Sequence, residues 1–241
     1  MMDEAALQRL ATRHRTTLLN IARESCQHLF LAAFYRHRQA GRVLFKGGTA
    51  LRIVYGSPRF SEDLDFSGFG VSVKMLEELV TDALGQMERA GLAVDIEEAK
   101  TTSGGYLGRL STRMADQRIE IQLEISLRRR DAPAPQTAVI ASDLHPAYTL
   151  LHLPEDRLVA EKLEALAQRG KARDFYDLYF MLRRGLLTPA TRTLLANVSA
   201  ALRRLRPEAA QELKAFLPKD QHMIVKDLRG TLERELRRFV S

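Results

Sequence analysis

Two aspartates one residue apart, Asp63 and Asp65, carry the spacing with the most chemistry in it. A strand alternates faces residue by residue, so both carboxylates leave one side while Leu64 and Phe66 enter the core. Attachment points two strand rises apart, about 7 Å, suit carboxylates gripping one or two hard cations. Mg²⁺, or Mn²⁺ in its place, takes such oxygen ligands and leaves room for substrate phosphates. Upstream, Lys46, Gly47, Gly48 and Thr49 turn into a short helical stretch that runs to Tyr55. Open N–H groups at a helix start, together with the Thr49 hydroxyl, make a seat for anionic phosphate.

These residues need elements to hold them. Val43, Leu44 and Phe45 read as a strand entering the glycine turn, and Gly56, Ser57 and Pro58 break the chain before the acidic strand. Residues 3–40 read as one helix, with a loose apolar stripe of Leu7, Leu10, Leu18, Ile21, Leu29 and Phe34 and arginines on its other faces. After the acidic strand, Ser72 caps a helix. Leu76, Leu79, Val80, Ala83, Leu84 and Met87 form its buried face, with Gly91 past the end.

Strand-like segments follow at 92–99, 106–114 and 118–127. In the last, Ile119, Ile121, Leu123, Ile125 and Leu127 share one face while Glu120, Gln122, Glu124 and Ser126 share the other. The expected fold class is therefore α/β (α+β), a mixed sheet covered by helices.

Residues 131–154 contain Pro133, Pro135, Pro146 and Pro154, show no sustained period and read as a connection. Pro154 then opens a helix carrying Leu158, Leu163, Ala165 and Leu166, which Gly170 stops. A second helix spans about 173–184 before Gly185. Further starts lie at Thr188-Pro189 and Pro207-Glu208, and a last amphipathic helix runs toward Arg238. The expected division is an α/β domain over 1–132, a connecting segment over 133–153 and a helical domain over 154–241.

The 241 residues suffice for a substantial core. No apolar run reaches the ~18 residues of a membrane helix, and no signal-peptide pattern opens the chain. Cys26 is the lone cysteine, which fits a reducing cytoplasm, and the six histidines lack zinc-site spacing. No Walker-type phosphate loop occurs. The net charge of +7 is uneven: residues 183–241 hold 13 Lys or Arg against 6 Asp or Glu. Such a basic segment, with Arg203, Arg204 and Arg206 at its densest, is the electrostatic footprint of a polyanion such as RNA.

The stretches KGGTALR (46–52) and RFSEDLDFS (59–67) resemble the core of the polymerase-β-like nucleotidyltransferases, and more narrowly the AbiEii/AbiGii-type nucleotidyltransferase toxins, MenT-like members included. AEKLEALAQRGKARDFYDLYFML (160–182) is similar to that family's lysine motif and the acidic motif after it. The resemblance implies an α/β catalytic half and a helical half. It also implies a Mg²⁺-dependent transfer of a nucleoside monophosphate from an NTP to a hydroxyl, a tRNA 3′ end for the MenT-like members, and a cognate antitoxin as partner.

Carried onto this chain, the resemblance makes Asp63, Asp65 and Glu124 the metal and catalytic acids, with Glu120 as the alternative to Glu124. Lys46, Gly47, Gly48, Thr49, Arg59, Ser61 and Lys162 would meet the nucleotide. An aspartate would hold Lys162 in place, but Asp174 and Asp177 lie on nearly the same helical face and spacing cannot choose between them. Two other readings compete: the same chemistry on a small-molecule or protein hydroxyl, and a non-catalytic RNA- or DNA-binding module.

Overall fold

A computed structural model describes residues 3–128, 132–203, 205 and 207–240. Two compact units emerge from it. One runs up to Gly56 and again from Phe60 to Leu153; the other takes Ser57–Arg59 and the chain from Pro154 onward.

The first unit begins with α1 (Glu4–Arg13) and α2 (Leu18–Phe34) where one long helix was expected. Arg15 stands at φ 53°, a left-handed conformation that a helix interior does not admit. Thr17 then accepts a hydrogen bond from the Asn20 N–H and starts α2 afresh. The apolar stripe continues through this break, so the periodicity alone hides it.

Next come β1 (Val43–Lys46), α3 (Gly47–Ile53), β2 (Leu64–Phe69) and α4 (Val73–Arg89). Ser72 accepts from the Met75 N–H at the start of α4, and the helix buries the six apolar residues its spacing selects. Three strands follow, β3 (Val94–Thr102), β4 (Gly105–Met114) and β5 (Gln117–Arg128).

The proline-containing stretch expected to be a plain connection is a hairpin, β6 (Gln136–Ser142) and β7 (His145–His152), and it belongs to the sheet. Its pattern is weak for a physical reason. β6 is an edge strand with Val139 73% exposed, so little alternation is imposed on it. Pro146 sits at the hairpin end, while β7 meets β1 only at Phe45↔His152, so the missing N–H breaks no ladder with β1.

The mixed sheet has the order β3-β4-β5-β2-β1-β7-β6. β1 runs antiparallel to β2, and β2 runs parallel to β5. One face is the core: the Phe66 ring packs, tilted, with its centre 5.3 Å from that of Phe34 of α2 and 5.4 Å from that of Phe45. Leu64, Leu123 and Ile125 are buried on the same side. Each such side chain contributes about 1.5–3 kcal/mol through burial, which favours this register for β2 once the strand has entered the sheet in phase.

The second unit is helical. It contains α5 (Glu155–Arg169), α6 (Ala172–Arg184), α7 (Leu195–Leu202), α8 (Pro207–Ala210), α9 (His222–Lys226) and α10 (Leu228–Val240), with short 3-10 turns between. Gly170 and Gly185 end α5 and α6 at φ 56° and 71°, the left-handed caps glycine allows. Pro154 is the N-cap of α5 and precedes its first turn. Val159, Leu163 and Leu166 of α5 and Phe175, Leu178 and Met181 of α6 are buried in the unit's core.

Candidate active site

Strand pairing builds a cluster in the first unit. Lys46 is the register partner of Asp65 across β1 and β2, and Asp65 is the partner of Glu124 across β2 and β5. Residues paired in this way share a face, so Lys46, Asp65 and Glu124 form one row across three adjacent strands. The opposite face of the same strands is the aromatic core, which holds this row outward. Glu120 pairs with Ser111 on β4 instead and carries an ion pair with Arg118 at 3.1 Å. The β2 pairing thus selects Glu124 as the acid beside Asp65.

The first glycine of the turn has a specific duty. Gly47 stands at φ 83°, and a Cβ there would lie 2.7 Å from Asp65 Cγ and nearer still to Oδ2. The Asp65 carboxylate therefore rests against the Gly47 backbone, in space only a glycine leaves open.

Asp63 immediately precedes β2. It lines an open cleft together with Arg23, Glu62, Glu97, Arg109 and Glu120. The Thr49 hydroxyl, expected to face phosphate, is fully buried and donates to the Asp63 carbonyl. Thr49 thus ties the start of α3 to the entry of β2; its side chain is a positioning group. Ser61 is half-buried in the same approach to Asp63.

Among the described residues, no three Asp, Glu, His or Cys side chains gather closely enough to hold an ion, so Glu124 does not close a cage with Asp63 and Asp65. The donor chemistry still fits a hard divalent cation. Mg²⁺ is commonly bound by one or two carboxylates and completes its octahedron with water and phosphate oxygens.

The second unit holds a separate cluster. Lys162 on α5 donates to Asp177 Oδ2 on α6 at 2.8 Å. Arg59 grips the same carboxylate with Nε at 2.8 Å from Oδ1 and Nη2 at 3.0 Å from Oδ2. All three are buried. Burial would raise the Asp177 carboxyl, but Arg59 and Lys162 outweigh it and hold it at about 2.

Asp174 has a different task. It takes two hydrogen bonds from Arg169, at 2.9 and 2.7 Å, and one from the Lys171 N–H at 3.2 Å. It caps the first turn of α6 and does not reach Lys162. Arg59, expected to face the nucleotide, is 3% exposed and braces Asp177. Arg203 is exposed at the end of α7, whereas Arg204 and Arg206 lie outside the described residues.

Several supporting residues escape a motif-based reading. Arg23, Glu24, Gln27 and His28 are among the buried polar residues of α2. Glu24 pairs with Arg52 of α3 at 2.8 Å, and the Arg52 guanidinium lies 3.9 Å from the centre of the Phe60 ring. Their signal was a polar cluster at helical spacing within a segment too apolar to be a surface.

A family model described as "Nucleotidyl transferase AbiEii toxin, Type IV TA system" matches residues 29–240, from within α2 to the end of α10. Among solved structures, JHP933 from Helicobacter pylori shares 23% identity at a TM-score of 0.63, over 92% of each chain. MenT4, a nucleotidyltransferase toxin from Mycobacterium tuberculosis, shares 19% at a TM-score of 0.59, over 96% of this chain and 99% of its own. At these identities the likeness is one of fold. No curated protein matches the sequence significantly. Among the described residues, no helix is long and apolar enough to cross a membrane.

Proposed function

The chain belongs to the AbiEii nucleotidyltransferase toxin family, and on that premise we propose that it moves a nucleoside monophosphate from an NTP onto the 3′-terminal hydroxyl of a tRNA in the cytoplasm. The family is one of type IV toxin–antitoxin systems, which implies a cognate antitoxin.

One observation carries the reading: the row Lys46, Asp65, Glu124 with Gly47 cleared beneath the Asp65 carboxylate. Asp63 and Asp65 would hold Mg²⁺ or Mn²⁺, which when bound supplies charge stabilisation to the attacking and leaving oxygens. The acceptor hydroxyl oxygen bonds to the α-phosphorus as the bond from that phosphorus to the pyrophosphate oxygen breaks. Glu124, exposed at the row's end, takes the hydroxyl proton. Lys46 and the Gly47-Gly48 backbone neutralise and orient phosphate from the first unit. Lys162 offers an ammonium with three donors, only one of them used by Asp177 among the described residues. In the basic last quarter of the chain, Arg203, Arg204 and Arg206 bind the RNA backbone.

The test is to incubate the protein with each labelled NTP, Mg²⁺ and total RNA. Label on RNA, lost in Asp63→Asn and Asp65→Asn variants of unchanged melting temperature, is the expected result. Label on a small molecule or a protein, or full transfer by either variant, overturns the proposal.

A further inference from the structure

Three successive carbonyls lead the chain into Asp63, and two side chains from elsewhere in the first unit hold all three. Gln27 Nε2 donates to the Ser61 carbonyl at 3.0 Å and to the Glu62 carbonyl at 3.1 Å. The Thr49 hydroxyl donates to the carbonyl of Asp63 itself. Gln27 is 1% exposed in the middle of α2 and precedes the first residue of the family match. One turn earlier on α2, Arg23 Nη2 lies 3.5 Å from the Glu62 carboxylate.

A primary amide is costly to bury unless its hydrogen bonds are made, and Gln27 uses both Nε2 protons on two neighbouring carbonyls. The segment held lies in the long stretch between α3 and β2, which has no ladder to fix its dihedrals. A strand that enters its sheet one residue out of phase turns every side chain to the wrong face. For Asp63 that error would send the carboxylate into the core and Leu64 toward solvent.

We infer that Gln27 is a positioning residue for nucleotidyl transfer: its amide locks the backbone ahead of Asp63 so that the carboxylate emerges on the Asp65 face. The inference rests on the reading of Asp63 and Asp65 as the metal-holding pair.

The test compares wild type, Gln27→Met (nearly the same volume, no donor) and Asp63→Asn in the full chain. Binding of Mn²⁺ alone is followed by the electron paramagnetic resonance of the free ion, and steady-state transfer is measured beside it. Gln27→Met should weaken Mn²⁺ binding about tenfold and lower kcat about tenfold or more, with KM for the NTP within about twofold, since misplacing a catalytic group acts on the transition state. If the Met variant fails to fold, Gln27→Asn keeps an amide one methylene short and should show smaller losses in the same direction. A Gln27 variant that is less stable yet binds Mn²⁺ and turns over like wild type overturns the inference while Asp63→Asn remains inactive. Failure of both variants to fold also overturns it, since Gln27 then serves the fold itself. Wild-type behaviour of Asp63→Asn removes the reading of the acid pair, and the inference with it.

Discussion

The ammonium of Lys162 lies 2.8 Å from Asp177 Oδ2, while Asp174, one helical turn earlier, is held by Arg169. The two aspartates therefore differ in what their loss exposes. Asp177→Asn removes the carboxylate that two buried cations share, and urea unfolding should show a loss of about 3–5 kcal/mol. Asp174→Asn releases Arg169, whose side chain is 45% exposed and can turn to water. The amide keeps an oxygen for the Lys171 N–H, so the cost should be about 1 kcal/mol or less, the range of exposed ion pairs. Equal losses would refute the assignment.

Lys162→Ala leaves Asp177 with its two bonds from Arg59, so the fold should suffer little. A lost phosphate contact made in ground and transition states alike should raise KM for the NTP about tenfold and change kcat less. Wild-type kinetics would make Lys162 a purely structural partner of Asp177.

Gly47→Ala should damage the acidic row directly. The new methyl meets the Asp65 carboxylate at a backbone φ of 83°. The strain is on the order of 1–3 kcal/mol, and displacement of Asp65 should reduce transfer about a hundredfold. Retained activity in this variant would show that Asp65 need not occupy the observed position.

Thr49→Ser keeps the hydroxyl that binds the Asp63 carbonyl, and Thr49→Val removes it. Transfer rates should follow the donor, near wild type for serine and about tenfold lower or more for valine. If valine were the better substitute, Thr49 would matter only as packing volume.

His28 gives the fold an acid sensitivity. Burial, with His145 and Arg52 nearby, lowers its ring to about 3 from the usual 6.5, and its Nδ1 lies 2.8 Å from the Tyr148 hydroxyl. The unfolded chain protonates below pH 6.5 while the folded ring resists until about 3. Stability from this residue is thus complete above 6.5 and falls as pH drops through that window, by up to about 1.4 kcal/mol per pH unit. Urea unfolding of His28→Gln should show a shallower loss between pH 6.5 and 5 than wild type; identical slopes would exclude His28 as the cause.

The RNA proposal predicts a salt dependence. With roughly three to five phosphate contacts, log K against log[salt] should slope at about −2 to −5. Joint replacement of Arg203, Arg204 and Arg206 by alanine should flatten it, and a salt-insensitive interaction would leave the basic quarter as solvated surface.

By itself the sequence determined what depends on neighbours along the chain. The alternation of β5, the six-residue apolar face of α4, the glycine stops after α5 and α6 and the glycine turn before an acidic strand are local patterns, set by helical and strand periods and by caps. Those patterns placed the residues 46–67 and 160–182 and, through their wording, the family. Only the tertiary structure decided questions of partnership between distant residues. Periodicity passed over the break at Arg15 because the apolar stripe continues across it. The edge hairpin of β6 and β7 carried little alternation because one strand's partner lies on a single side. Asp177, rather than Asp174, meets Lys162 because the packing of α5 against α6, which no local spacing encodes, brings that one turn opposite the ammonium. Thr49 and Gln27 became positioning groups for the same reason: their acceptors are carbonyls 14, 34 and 35 residues away, and a hydrogen bond across such distances exists only after the chain has folded.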